Sequence, residues 1–120
     1  MKTIVLRDTG LKNRDGEIFV DREGNVYALD DNGQFKVIIP NSKNRGYKQI
    51  TIQGKTWYIH RLVYQTFIGP LKKGMVIDHI DECKGNNSVT NLQQISNSCN
   101  LVKHYMYIKE LEGGYEYEEV

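Results

Sequence analysis

Val76-Ile77-Asp78-His79-Ile80-Asp81 is a short apolar run ending in charged chemistry, and asparagines at 86, 87, 91 and 100 punctuate the chain downstream of it. Residues 74–79 read as a strand, because β-branched residues bounded by turn formers favour the extended chain. Gly85-Asn86-Asn87-Ser88 reads as a loop and Leu92-Gln93-Gln94-Ile95 as a second short strand. Ser96 can then N-cap a last helix carrying Leu101, Val102 and Tyr105. An Asp-His pair on its own is ordinarily a solvated pair. Here asparagines also stand 12 and 21 positions after His79.

Working upstream, Val63 and Phe67 lie four apart, as do His60 and Tyr64, which predicts a two-turn helix over 60–68 stopped by Gly69-Pro70. Residues 47–59 read as a hairpin turning at Gln53-Gly54, with Ile50 and Ile52 alternating against Tyr47, Gln49 and Thr51. Pro40-Asn41-Ser42-Lys43-Asn44-Arg45-Gly46 reads as a polar, basic loop. Before it, Val26-Tyr27-Ala28-Leu29 and Phe35-Lys36-Val37-Ile38-Ile39 read as strands, each preceded by an Asp- and Gly-bearing turn. The expectation is an α+β chain. A small N-terminal antiparallel β region (1–45) precedes a core of hairpin, short helix and strand-loop-strand-helix unit (46–109), and an acidic tail (110–120) comes last, all in one compact domain.

At 120 residues there is room for one ordinary domain. With 39% hydrophobic residues and a mean hydropathy of -0.56, the chain can bury a modest core under a polar surface. No segment approaches the roughly 18 to 20 apolar residues of a membrane span, and Arg7 and Asp8 interrupt the N-terminus before a signal core can form. These features predict no membrane partner and a cytoplasmic location. Cys83 and Cys99 are too few for a disulfide scaffold, so both are expected as thiols.

The net charge of +1 hides opposed blocks. Residues 1–35 carry five basic and seven acidic groups, residues 36–109 eleven and three, and residues 110–120 none and five. A central segment at +8 before a tail at -5 has the footprint of a phosphate-binding surface with an acidic appendage. A solvated face is the alternative that charge alone leaves open.

Taken together, residues 76–81, Asn86-Asn87, Asn91-Leu92 and Asn100 resemble the HNH endonuclease family, most closely its phage and intron-encoded homing branch. Tyr58-Ile59-His60-Arg61-Leu62-Val63 and Phe67-Ile68 are similar to the segment preceding the site in that branch, and weaker similarity reaches back to Gly24-Asn25-Val26-Tyr27. The resemblance covers about residues 17–105. It implies a ββα-metal finger and a metal-dependent endonuclease acting on double-stranded DNA. His79 would be the general base, because an imidazole titrates near working pH. Asp78, on the opposite side of the same strand, would bind the metal together with Asn100, while Asn91 would steady the site and orient the histidine. Carboxylate and amide oxygens form a hard donor set that favours Mg²⁺, and also Mn²⁺, over Zn²⁺. A structural zinc is not expected, since two cysteines 16 apart cannot complete a site. The finger would be supported instead by Val76, Ile77, Ile95, Leu101 and Val102. Two departures from the family pattern are Gln94, near a customary tryptophan, and Glu82, at a customary glycine.

His60 is read as a core or scaffold histidine, and Asn86 and Asn87 as turn formers. DNA contacts are assigned to Lys43, Arg45, Lys48, Gln49 and Lys55 on or beside the hairpin, where a two-stranded ribbon fits the major groove, and to Arg61, Lys84 and Lys103 around the finger. A single finger supplies a single active site, which suits a nick, and a double-strand cut would need a dimer. The competing class is a non-catalytic DNA-binding or DNA-mimicking inhibitory protein that keeps the finger as scaffold. The intact set Asp78, His79, Asn91 and Asn100 argues against it, because a scaffold needs none of them.

Overall fold

The computed structural model describes residues 4–99 and 101, with the backbone alone at 43 and 44. Among the described residues, three antiparallel sheets surround a central helix, an α+β arrangement. β1 (Arg7–Asn13), β2 (Gly16–Val20), β3 (Val26–Leu29) and β4 (Phe35–Ile38) form a four-stranded meander. β3 and β4 are the strands expected from the sequence. β1 escapes period-2 reading because Arg7-Asp8-Thr9-Gly10 has no apolar alternation, and its pairing to β2 is interrupted by a register shift between Asp8 and Lys12.

Two turns of this sheet are built on aspartates. Asp21 Oδ1 accepts the amides of Glu23 and Asn25, each at 2.9 Å, and Asp30 Oδ1 accepts those of Asn32 and Gln34 at the same distance. Asp21 also accepts Asn25 Nδ2 and the Tyr27 hydroxyl through its other oxygen. Burial alone would raise this carboxyl's pKa, but the hydrogen bonds from Asn25, Tyr27 and Glu23 outweigh it and hold the group below the usual carboxylate range.

The polar segment 40–46, expected as a loop, contains β5 (Asn41–Asn44), which pairs with β6 (Tyr47–Ile52). No apolar alternation marks Asn41-Ser42-Lys43-Asn44, so this edge strand is defined by its backbone ladder alone. β7 (Lys55–Tyr58) completes the sheet across the Gln53-Gly54 turn, as the alternation of Ile50 and Ile52 implied.

The chain then enters α1 (Ile59–Phe67), which ends where the amides of Ile68 and Gly69 fall on the Tyr64 carbonyl. Ile59, Leu62 and Val63 occupy one helical stripe and are fully or almost fully buried. They insert among Ile18, Val20, Val26 and Ala28 of the first sheet, Ile50 and Ile52 of the second and Leu92 of the third. Each such burial contributes about 1.5–3 kcal/mol, so one short helix ties three small sheets into a common core.

β8 (Met75–His79) and β9 (Leu92–Ser96) form the third sheet, in register from Met75 opposite Ser96 to His79 opposite Leu92. The connecting loop ends in a 3-10 turn at Val89–Asn91. Residues 97–99 turn helically, with the Cys99 amide on Ser96 Oγ at 3.2 Å. The rest of the expected last helix, including Asn100, Val102, Lys103 and Tyr105, and the acidic tail lie outside the described residues. Of the expected supports, half-buried Ile77 meets the core, joined by buried Leu92 and half-buried Val89, whereas Leu101 is 64% exposed. Val76 and Ile95 pair with each other across the strands and are only half-buried. A two-stranded hairpin has one face for the helix, and Ile77 occupies it. Among the described residues no helix is long and apolar enough to cross a membrane.

Candidate active site

Asp78 and His79 close β8, and each is only 5% exposed. Successive strand residues point to opposite faces, so the two find different partners. His79 Nε2 lies 2.8 Å from Oδ1 of Asn87, itself buried in the loop between β8 and β9. An amide oxygen only accepts, so Nε2 is the donor in this contact. Asn87, read from the sequence as a turn former, is thus the side chain that meets the imidazole. Its burial within a polar loop is the feature that sets it apart from Asn86, and composition gives no sign of it.

The His79 ring is also packed among aromatic groups. His60, at the first turn of α1, lies 5.1 Å from it between centroids, and Tyr47 of β6 lies 6.1 Å away. Tyr47 and Tyr58 flank His60 in turn, at 5.4 and 5.5 Å. Burial, then the neighbouring His79 and Arg61, lowers the His60 pKa to about 4, so this second imidazole is neutral at pH 7. The scaffold role expected for His60 places it directly against the candidate base.

On the other face, Asp78 Oδ2 accepts Gln93 Nε2 at 2.8 Å, from its cross-strand partner. A carboxylate accepts roughly four hydrogen bonds or ligand contacts, so this bond orients Asp78 without exhausting its capacity to bind a cation. The described residues contain no cluster of three or more His, Cys, Asp or Glu side chains that could hold a metal. A buried carboxylate oxygen is a hard donor of the kind a hard divalent ion prefers. Cys83 and Cys99 are both exposed.

Asn91 grips the loop. Its Oδ1 accepts the Asp81 amide at 3.1 Å, and its Nδ2 donates to Asp81 Oδ1 at 2.8 Å and to the Asn86 carbonyl at 2.9 Å. Asp81 also accepts Asn86 Nδ2 and the Cys83 amide, and bonds from Asn86, Cys83 and Asn91 hold its carboxyl below the usual range. The Asn91 carbonyl accepts the Ile80 amide, next to His79. Asn91 therefore reaches the backbone beside His79, and Asn87 makes the side-chain contact with its ring. The two departures from the family pattern have local solutions. Gln94 bonds the Tyr64 hydroxyl, the Pro70 carbonyl and the Lys72 amide, replacing aromatic packing with polar ties. Glu82 adopts a positive φ of 63°, the conformation a glycine would take without strain.

Several of the expected DNA-contacting groups gather beside this centre. Arg45 and Arg61 line a cleft of about 610 Å³ with Tyr47, Tyr58 and His60. Lys84 Nζ donates to the Arg45 carbonyl at 2.8 Å and sits 4.6 Å from the Tyr47 ring. Lys48 and Gln49 are half-buried on β6, while Lys55 stands on Trp57 toward the far end of the hairpin. Lys43 lies on β5, and Lys103 is outside the described residues.

Residues 57–102 match a family model described as HNH endonuclease. The chain is 34% identical over 95 residues to DNA endonuclease I-HmuI of Bacillus phage SP01, which covers 76% of this chain and 53% of that protein. It is 35% identical over 97 residues to an uncharacterized HNH endonuclease of Acanthamoeba polyphaga mimivirus, covering 78% of this chain and 26% of the relative. A solved structure of the HNH homing endonuclease I-HmuI, concerned with its DNA binding and cleavage, matches with a TM-score of 0.63 at 28% identity. That match covers 80% of this chain and 57% of the other. The chain thus spans about half the length of the first relative and a quarter of the second.

Proposed function

The chain belongs to the HNH endonuclease family, and from that premise we propose that it is a divalent-metal-dependent DNA endonuclease that nicks one strand of double-stranded DNA. The observation that carries this is the pairing at the end of β8 of buried His79, held by Asn87, with buried Asp78, held by Gln93. Hydrolysis of a phosphodiester needs an attacking water, a base to take its proton and positive charge beside the developing oxyanion. His79 takes the proton, with its ring anchored on Asn87 through Nε2. Asp78 and Asn100 would hold the metal, Mg²⁺ or Mn²⁺ by the hardness of their oxygens. Such an ion would supply positive charge for the developing oxyanion. Asn91 keeps the loop closed around Asp81 so that these groups hold their spacing.

The basic groups bind the duplex. Arg45, Arg61, Lys84 and Lys48 flank the site and neutralise phosphates near the cut, while Gln49 and Lys55 extend the contact along the hairpin; Lys43 and Lys103 are further candidates for phosphate contact. One finger gives one reacting centre and hence a nick. The test is supercoiled plasmid incubated with the full chain in Mg²⁺, with and without chelator. Conversion to open circles that the chelator abolishes is expected. Absence of cleavage across several DNAs and metals would instead favour a protein that only binds.

A further inference from the structure

The turn at residues 21–25 belongs to the N-terminal sheet, far in sequence from the finger, yet it touches the partner of the candidate base. Gly24, at φ 90°, lies flat against the loop at Asn87. A Cβ placed there would stand 2.8 Å from both Cβ and the carbonyl oxygen of Asn87 and 2.9 Å from its carbonyl carbon, closer than real contacts allow. Two residues earlier in the same turn, the Arg22 carbonyl accepts the Val89 amide at 2.8 Å and ties down the far side of that loop. Asn87 is 3% exposed and bonds His79 Nε2. Behind Gly24, buried Asp21 braces the turn through Glu23, Asn25 and Tyr27.

We propose that this turn is a buttress of the catalytic centre: Gly24, in a turn shaped by Asp21, is a positioning residue that sets Asn87 and, through it, the imidazole of His79. Its kinetic consequence rests on the nuclease function proposed above, and its geometric consequence does not. The sheet contains its own control. The turn at residues 30–34 repeats the aspartate-centred bonding, with Gly33 at φ 77°, but a Cβ on Gly33 would meet nothing within 4 Å. Gly24→Ala and Gly33→Ala therefore impose similar backbone strain on one sheet and differ in the contact with Asn87.

The test compares full-length Gly24→Ala, Gly33→Ala, Asn87→Ala and the Gly24→Ala/Asn87→Ala double variant by steady-state plasmid nicking in Mg²⁺. The ¹⁵N resonances of the His79 imidazole are recorded in parallel without DNA or metal. Gly24→Ala is expected to lower kcat by about tenfold or more with KM within about twofold, since small displacements of reacting groups are that costly. It also moves the His79 resonances. Gly33→Ala does neither, although its backbone strain also lowers the thermal midpoint, and the double variant is no slower than Asn87→Ala. Equal losses in the two glycine variants, additive losses in the double variant, or unmoved His79 resonances in Gly24→Ala would overturn the proposal. If Gly24→Ala fails to fold, Asp21→Asn loosens the turn without adding an atom at 24, and it must move the same resonances for the proposal to stand. If the wild-type chain nicks no DNA, the nuclease function fails while the resonances of the two glycine variants still decide the buttress.

Discussion

His60 makes the folded protein sensitive to mild acid in a calculable way. Its pKa falls from 6.5 to about 4 on folding, chiefly because the ring is buried, with 9% of its surface exposed, and secondarily because His79 and Arg61 lie beside it. Above pH 6.5 the group is neutral in both states and costs nothing. Below that the unfolded chain binds a proton that the folded chain refuses, so stability is lost as pH falls from 6.5 and the loss levels off once pH drops under about 4. One pKa unit corresponds to about 1.4 kcal/mol, so the deficit from this residue is about 2 kcal/mol at pH 5 and about 3 kcal/mol at its limit. The assay is urea unfolding at pH 7 and pH 5 for the wild type and His60→Phe, which keeps an aromatic ring among Tyr47, Tyr58 and His79. The wild type should lose about 2 kcal/mol more than the variant between the two pH values. Parallel losses would refute the assignment of a buried neutral imidazole at this position.

Glu82→Gly should raise stability by about 1 kcal/mol in denaturant unfolding, because glycine adopts the left-handed backbone at residue 82 without the Cβ penalty. Arg61→Ala should weaken DNA binding similarly across sequences and reduce the salt dependence of log K by about one phosphate contact, read from binding titrations at several salt concentrations. Asn91→Ala should slow single-turnover cleavage by about tenfold while leaving DNA affinity nearly unchanged, since it loosens the Asp81 loop and not the basic surface. Unchanged turnover in that variant would remove Asn91 from the working site.

The elements around the site were legible in the sequence wherever side-chain periodicity coincided with burial. Ile50 and Ile52 marked β6, Val63 and Phe67 marked α1, and the apolar run before Asp78 marked β8. β1 and β5 were not, because polar strands are held by backbone pairing to β2 and β6 and leave no pattern in side-chain type. Asp78 and His79 stood out as candidates by residue type and spacing. Their supports did not. Asn87, Gln93 and the turn at Gly24 reach the two residues through tertiary contacts, and the contact between Gly24 and Asn87 joins positions 63 residues apart. His60 was legible as a buried histidine, but its place against His79 depends on how α1 docks on β8.

The most direct test of a metal-dependent nuclease with His79 as base is single-turnover nicking of supercoiled plasmid in Mg²⁺ by wild type and His79→Ala, at protein concentrations that saturate both with DNA. The rate should fall by at least about a hundredfold in the variant, as expected for loss of a general base, while DNA affinity persists. Nicking that survives His79→Ala undiminished, or that proceeds at full rate in chelator, would contradict the account.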